Sequence, residues 1–411
     1  MSDETGETAE KGRSPRRQAA WIGVFVLTLV VGVWVLDAKT TPRLVHGPMV
    51  QRVLPDGFTV TWEARPHRSG ELILEYGERE KTRVSAERNG VDYQATVRGL
   101  PGSSAIRYRI RHRSVVGWPH VIAGATTRTA KRAGEPFRFL VFGDSGSGGN
   151  AQKALAQRME SYDADLILHV GDLVYQAGHP SNYALNFYEP NAGLIRSVPF
   201  YPVLGNHDVI TENGRPMLDR FVLPANGPPK LEPERNFSMQ YADALFVGLD
   251  SNLDEDILRQ QVAPWLEALL ASSKACWKFV YFHHPPYTGS KHAPDRKMQE
   301  TVVPVLERGH VDVVFVGHNH LYERTARIYQ GAVSQERGIY YIVTGAGGMS
   351  KYPERADAPA YIVTYNDRVF NFTVVDVADH QLRLRQISER GNTIDEWTLH
   401  KAGGKRRFAS F

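Results

Sequence analysis

Residues 311–324 read Val-Asp-Val-Val-Phe-Val-Gly-His-Asn-His-Leu-Tyr-Glu-Arg. A mostly apolar run, Val311–Val316, stops at Gly317, and a His-x-His pair, His318 and His320, follows at once. A short apolar run bounded by a glycine suits a strand covered on both faces. Side chains just past the carboxyl end of such a strand lie where open α/β sheets bind ligands. The same pattern occurs four more times upstream. Phe139–Phe142 leads into Gly143-Asp144-Ser145-Gly146, and Leu166–Val170 into Gly171-Asp172-Leu173-Val174-Tyr175. Phe200–Leu204 leads into Gly205-Asn206-His207-Asp208, and Phe279–Phe282 into His283-His284-Pro285. The glycines before Asp144, Asp172, Asn206 and His318 suit turns in which backbone approaches other groups closely.

Taken singly, each motif is a capping aspartate, a packed histidine or a turn. Five in one order, ending in carboxylate, carboxylate, amide, imidazole and imidazole, point to a shared site. Aspartate and histidine suit hard and borderline divalent or trivalent metals. One carboxylate can bridge two ions, and two ions ~3.5–4 Å apart can clamp the attacking and leaving oxygens of a phosphoryl displacement.

Working outward, helical stretches such as Ala151–Tyr162 and Ala263–Ser272 alternate with the apolar runs, so residues 136–400 read as an α/β domain with a central sheet flanked by helices. Antiparallel alternation returns at Tyr361–Tyr365, Val369–Asp376 and Gln381–Ile387. Residues 42–130 differ. Short alternating runs at Gly57–Glu63, Glu71–Tyr76, Tyr93–Val97, Ile106–His112 and Val121–Thr127, separated by turn residues, predict a small all-β sandwich with Trp62 in its core. The charged stretch Arg128–Glu135 reads as a linker.

The N-terminus predicts a membrane segment. Residues 1–18 are polar and carry Lys11, Arg13, Arg16 and Arg17, and residues 19–36 have no charge. In a helix those residues span roughly 27 Å, near the ~30 Å of a bilayer core. Trp21 and Trp34 lie near the two ends, and the preceding basic residues are expected to stay cytoplasmic. The expectation is an exported enzyme anchored by this helix, with the catalytic domain outside the cytoplasm. The rival is a cleaved signal and a secreted product, although Leu36 is bulky where a cleavage site calls for a small residue. Residues 401–411 form a basic tail, with Lys405-Arg406-Arg407 read as a solvated end. The net charge of +4 over 411 residues argues neither for nor against a nucleic-acid partner, and no dense basic block in the body of the chain points to one. The single cysteine, Cys276, excludes an intramolecular disulfide and lacks the context of a thiol nucleophile.

The five motifs together resemble the calcineurin-like metallophosphoesterase superfamily, and within it the purple acid phosphatases. That family's pattern runs GDxG, GDxxY, GNH with an acidic residue, His-x-Pro and GHxHxYER. The match covers about Pro42 to Leu399, because the family also carries an N-terminal fibronectin-like sandwich. The resemblance implies two metal ions, Fe(III) plus Fe, Zn or Mn. Asp144, Asp172, Tyr175 and His320 would hold one, and Asp172, Asn206, His283 and His318 the other, with Asp172 bridging. Tyr175 would supply a phenolate to Fe(III). His207 would face the substrate phosphate and assist the leaving group, while metal-bound hydroxide attacks phosphorus in line. The implied substrate is a small phosphate monoester. The same site on phosphodiesters or nucleotides is the alternative, and an exported binding or adhesion protein with a non-catalytic metal domain is an alternative of another class. A redox role for an iron–tyrosinate centre is a further one.

The chain departs from the family pattern in places. Asp208 stands where the family usually has Glu, and position 293, where relatives place a further substrate histidine, is Ala, with His292 one residue early. His284 is left unassigned, as either a group supporting the ligands or a surface side chain. The segments Ala177–Pro199 and Thr211–Pro233 are candidates to shape a substrate pocket or simply to cover the core. Gly345-Ala346-Gly347-Gly348 is a candidate phosphate cradle.

Overall fold

The computed structural model describes residues 15–353 and 355–401. The polar tail up to residue 14 and the basic tail after Lys401 lie outside the described residues. A helix spans Pro15–Thr40, and its segment Ala19–Thr40 is long and apolar enough to cross a membrane, with its most apolar stretch unburied and Asp37 near its end buried against the protein.

Two four-stranded antiparallel sheets follow. One has the order Arg43–Leu54, Gly57–Arg65, Asp92–Val97, Glu87–Asn89, and the other Glu80–Ser85, Gly70–Tyr76, Ala105–Arg113, Pro119–Arg128. Phe58, Val60, Trp62, Leu72, Leu74, Tyr108 and Ile110 are buried, as the period-two alternation requires. Trp62 Nε1 donates to His112 Nε2 at 2.9 Å, which satisfies the one polar atom of the indole. Three strands lie beyond the five expected from sequence. Glu80–Ser85 and Glu87–Asn89 are charged edge strands with little apolar signal, and Arg43–Leu54 is interrupted by Pro48 and register shifts.

The larger unit corrects the expectation of one central sheet. It contains two mixed sheets packed face to face. The first runs Phe200–Pro202, Leu166–His169, Phe137–Phe142, Asn371–Ala378, Gln381–Ser388, Thr393–His400. The second runs Phe237–Tyr241, Ala244–Gly248, Trp277–Tyr281, Val313–Val316, Tyr340–Thr344, Tyr322–Thr325, Ile362–Asn366. The ring of Phe139 on the first sheet meets Phe246 and Phe279 on the second, each at 5.1 Å between centroids. A fully buried phenylalanine of this kind is worth about 3–5 kcal/mol on truncation to alanine. The smaller unit is seated on the larger. Val53 N donates to Tyr201 Oη at 3.0 Å, Tyr108 Oη to Arg196 O at 2.6 Å, and Thr127 Oγ1 to Ser197 O at 2.7 Å.

Candidate metal centre

All five quoted runs form strands or lead out of them. Leu166–His169 pairs in parallel with Phe137–Phe142 and with Phe200–Pro202, and Trp277–Tyr281 pairs in parallel with Val313–Val316. Their carboxyl ends therefore deliver Asp144, Asp172 and Asn206 from one sheet, and His283, His318 and His320 from the other, to a common edge. Asp144, Asp172 and His318 have positive φ, at 54°, 58° and 67°. Such left-handed backbone is sparsely populated for residues other than glycine and recurs at functional sites.

The glycines between these residues are fixed by contact. A Cβ on Gly205 would lie 2.1 Å from Asp172 Oδ1 and 2.3 Å from Asp172 N, and one on Gly317 would lie 2.5 Å from Asp144 Oδ2. Gly347 meets Gly143 O at 2.1 Å in the same sense. Its N–H donates to Gly143 O at 3.0 Å, and Gly345 N–H donates to Leu321 O at 3.1 Å. The glycine-rich turn thus braces the Asp144 loop with donors that a phosphate cradle would need, which corrects that reading.

The side chains form two groups joined at Asp172. In the first, Tyr175 Oη donates to Asp172 Oδ2 at 2.6 Å and lies 3.3 Å from Asp144 Oδ1 and 3.1 Å from His320 Nε2. In the second, Asn206 Oδ1 lies 2.9 Å from His283 Nε2 and 2.8 Å from His318 Nδ1. His283 Nε2 is 3.5 Å from Asp172 Oδ2, and His320 Nε2 is 3.5 Å from Asp144 Oδ1. Both aspartates are buried.

Backbone carbonyls set the tautomers. His283 Nδ1 donates to Val170 O at 2.8 Å, and His320 Nδ1 to Ser350 O at 2.7 Å. A carbonyl only accepts, so each ring carries its proton on Nδ1 and turns the Nε2 lone pair inward. The lone pair of His283 then faces Asn206 Oδ1, another acceptor, across 2.9 Å. Two acceptors at that distance, beside buried carboxylates, call for a cation between them or a second proton on the ring. The donor set fits metal ions. With protein groups alone, burial would lower the pKa of His283, but Asp172 and Asp144 override it and raise it. Burial opposes His320 likewise, and Asp144 raises it. His318 has no such carboxylate advantage, and burial followed by the charge of His283 depresses it. Burial, then Asp144 and Asp172, raises Tyr175, which keeps the phenol protonated until a cation competes for it.

The roles of the supporting residues were not legible in the motifs. Asp208 is buried and accepts from Gly205 N at 2.9 Å, Leu173 N at 3.0 Å and Val174 N at 3.3 Å, tying the Asp172 loop to the Asn206 loop. Tyr352 stacks on His320, with centroids 4.1 Å apart and planes at 13°. Ser251 Oγ accepts from His283 N and contacts His284 Nδ1 at 2.8 Å. His284 is therefore held beside His283 and His318, with its ring 4.7 Å from that of His318 and its ring nitrogen in one cluster with theirs. His292 also lies at the site, its ring 4.4 Å from that of His318, and Asn319 holds its backbone at N and O. The tail of the last motif is architectural. Tyr322 and Arg324 both bond Asp395, and Glu323 accepts from Thr288 Oγ1 and Gly289 N beneath the His292 loop. In the segment Ala177–Pro199, Tyr183, Phe187 and Tyr188 are buried in the core, while Asn186 clamps the Gly146 and Tyr175 carbonyls at 2.9 Å each.

His207 is half-buried beside the first group. Its backbone N donates to Asp172 Oδ1 at 2.9 Å, its Nδ1 donates to Gln176 O at 2.5 Å, and its ring is 4.5 Å from Tyr175. The carbonyl again fixes the proton on Nδ1 and leaves Nε2 to point away from Gln176.

Residues 137–322 match the family model of the calcineurin-like phosphoesterases. The chain thus carries a calcineurin-like phosphoesterase domain. It is related to the purple acid phosphatases, which are hydrolases. The chain is 26% identical over 295 residues to purple acid phosphatase 23 of Arabidopsis thaliana and spans 63% of that protein with 63% of its own length. It is 23% identical over 296 residues to tartrate-resistant acid phosphatase type 5 of Homo sapiens, covering 62% of this chain and 89% of the human one. Its fold is that of the purple acid phosphatase PPD1 from yellow lupin, with a TM-score of 0.76 at 20% identity over 88% of this chain and 74% of the other. It also resembles the structure of PhoD, with a TM-score of 0.63 at 14% identity over 87% of this chain and 92% of that one.

Proposed function

We propose that this phosphoesterase hydrolyses small phosphate monoesters at a binuclear metal centre, as an exported enzyme anchored by its N-terminal helix. The observation that carries the reading is the position of Asp172 between two donor groups, 2.6 Å from Tyr175 Oη on one side and 3.5 Å from His283 Nε2 on the other. Asp144, Asp172, Tyr175 and His320 are assigned to one ion, and Asp172, Asn206, His283 and His318 to the second. When bound, two such ions supply Lewis acidity at the phosphoryl oxygens and a source of hydroxide at moderate pH. The phenol of Tyr175 favours Fe(III) in the first position, with Fe, Zn or Mn in the second. The apolar segment Ala19–Thr40 supports the anchor, and the two four-stranded sheets support a fibronectin-like assignment for residues 42–130.

The protein's own groups then have distinct tasks. Asp172 holds the two halves of the site in register, with its Oδ1 fixed by His207 N. His207, held by Gln176 O, turns Nε2 away from that carbonyl, and in its protonated form it neutralises a phosphoryl oxygen or passes a proton to the leaving oxygen. The backbone carbonyl partners keep His283 and His320 from rotating, so the site is organised before substrate arrives.

The test is p-nitrophenyl phosphate hydrolysis by the full-length protein in detergent from about pH 4 to 9, beside Asp172→Ala. Turnover lost in the variant supports the reading. Turnover of bis-p-nitrophenyl phosphate alone moves the substrate class to diesters, and no turnover of either after loading with iron, zinc or manganese refutes the hydrolase reading. Tyr175→Phe in iron-loaded protein is expected to lose visible absorption, and an unchanged spectrum removes Tyr175 from the iron site.

A further inference from the structure

The helix Pro15–Thr40 does not hang from the body of the protein on a free linker. At its carboxyl end Asp37 is buried, with its carboxylate bonded to Ser114 Oγ and 3.0 Å from His120 Nε2. Thr40 Oγ1 accepts from Val115 N at 3.2 Å. Trp34 meets Trp118 edge to face, with centroids 5.1 Å apart. All these partners lie in or beside the hairpin that joins strands Ala105–Arg113 and Pro119–Arg128. A buried carboxylate with two polar partners and an aromatic pair fix the angle between helix and sheet.

The same hairpin presents apolar side chains to solvent. Val115 is 54% exposed, Val121 53% and Trp118 37%, and Val45, on the first strand after the helix, is 42% exposed. These make up four of the ten large exposed apolar residues described outside the helix. The depth of Trp118 follows from the helix. The uncharged run ends at Leu36, two residues beyond Trp34, so Trp34 lies only about 3 Å inside its end. Trp118, in contact with Trp34, lies at the same level. That level is the boundary of headgroups and acyl chains, where tryptophan is favoured and where short apolar segments insert. Lys39 and Arg43, both exposed, follow on the headgroup side.

We infer that the hairpin Ser114–Val121, with Val45, is a second membrane contact, seated in the lipid interface beside the anchor helix. The all-β unit then lies against the bilayer in a fixed orientation. The inference rests on the proposed anchor and adds to it a surface and its partner, the interfacial lipid of the same bilayer.

The test uses full-length protein with Cys276→Ser, so that a single introduced cysteine carries an NBD fluorophore. Val115→Cys is the reporter, and Val121→Cys repeats the reading at a second position in case one variant misfolds. Arg79→Cys, in the turn at the far end of the same sheet, is the control. The proteins are reconstituted in phosphatidylcholine vesicles with or without a lipid bearing a nitroxide near its headgroup, and vesicle flotation is measured in parallel. The expected result is co-flotation, with loss of NBD fluorescence to the nitroxide at positions 115 and 121 and none at 79. Co-flotation with all three probes unquenched overturns the inference and leaves the anchor standing. Protein that does not float refutes the anchor and the inference with it. Emission at 115 already blue-shifted in detergent and insensitive to nitroxide lipid assigns the patch to a second copy of the chain, and this too overturns the inference.

Discussion

Replacing Gly205 with alanine tests whether the geometry between the motifs, as well as the ligands themselves, sets activity. The added Cβ would stand 2.1 Å from Asp172 Oδ1 and 2.3 Å from Asp172 N. Ordinary contact begins near 3.4 Å, so the carboxylate has to retreat by 1.3 Å or the Gly205 backbone has to move by a similar amount. The side chain cannot simply rotate away, because Asp172 Oδ1 accepts from His207 N, Oδ2 accepts from Tyr175 Oη, and the clash includes the backbone of Asp172 itself. Displacing a positioned group by about 1 Å costs on the order of a hundredfold in rate, and overpacking costs about 1–3 kcal/mol of stability. The expected outcome for Gly205→Ala is therefore a folded protein with kcat/KM down by on the order of a hundredfold and less than full metal content by elemental analysis. Gly149→Ala is the control, since its Cβ would meet only the far end of Ser147 at 3.3 Å and its φ is negative. Wild-type kcat/KM and full metal content in Gly205→Ala would refute the argument that Asp172 is held against this glycine.

Three further outcomes are expected. Asp208→Ala orphans the buried N–H groups of Leu173, Val174 and Gly205. At about 1–3 kcal/mol per orphaned donor, less what entering water restores, urea denaturation should show a loss of about 3 kcal/mol or more, and unchanged stability would show that the loops do not depend on it. Chelation should lower Tm of the wild type, because buried Asp144 and Asp172 lose their counter-charge; Asp172→Ala should lose most of that chelator dependence, and an equal shift in both proteins would place the stabilising metal elsewhere. Burial and the facing Glu63 carboxylate push Asp92 up to about 6. The native state thus holds this proton more tightly than the unfolded chain, whose carboxyl titrates near ~3.9, so stability is full below that pH and falls as pH rises through 6. Asp92→Asn should raise Tm at about pH 8 and leave it unchanged at about pH 4, and an equal gain at both would assign the effect to packing.

What was legible in the sequence were features with local signals. A buried strand announces itself as an apolar run, and a polar residue brought to the shared edge at its end is marked by the glycine that lets two loops approach, as at Gly171-Asp172 and Gly317-His318. The apolar N-terminal helix was legible for the same reason. The division of the α/β unit into two facing sheets was not, because Phe139 meeting Phe246 and Phe279 is a contact between distant segments with no trace in local periodicity. Charged edge strands such as Glu80–Ser85 escaped because one polar face and a short length mimic a loop. Around the site, Val170 and Ser350 act through backbone carbonyls, which any residue type offers. Asn186, Ser251 and Tyr352 lie far in sequence from the groups they hold, and only the fold brings them there. Asp208 was visible as a motif letter, but its role as a knot between two loops was not.

The glycines at 143, 205, 317 and 347 each stand where a single added carbon would strike a valine methyl, a carboxylate or a carbonyl belonging to a different motif. The loops around the metals consequently behave as one heritable unit. A change in any one loop is tolerated only with a matching change in its neighbour, so two substitutions across a shared contact should cost less together than the sum of their separate effects. New specificities in such a protein are then expected to arise at exposed positions outside these contacts, such as Leu185 and Ile210, where side chains vary without disturbing the interlocked loops.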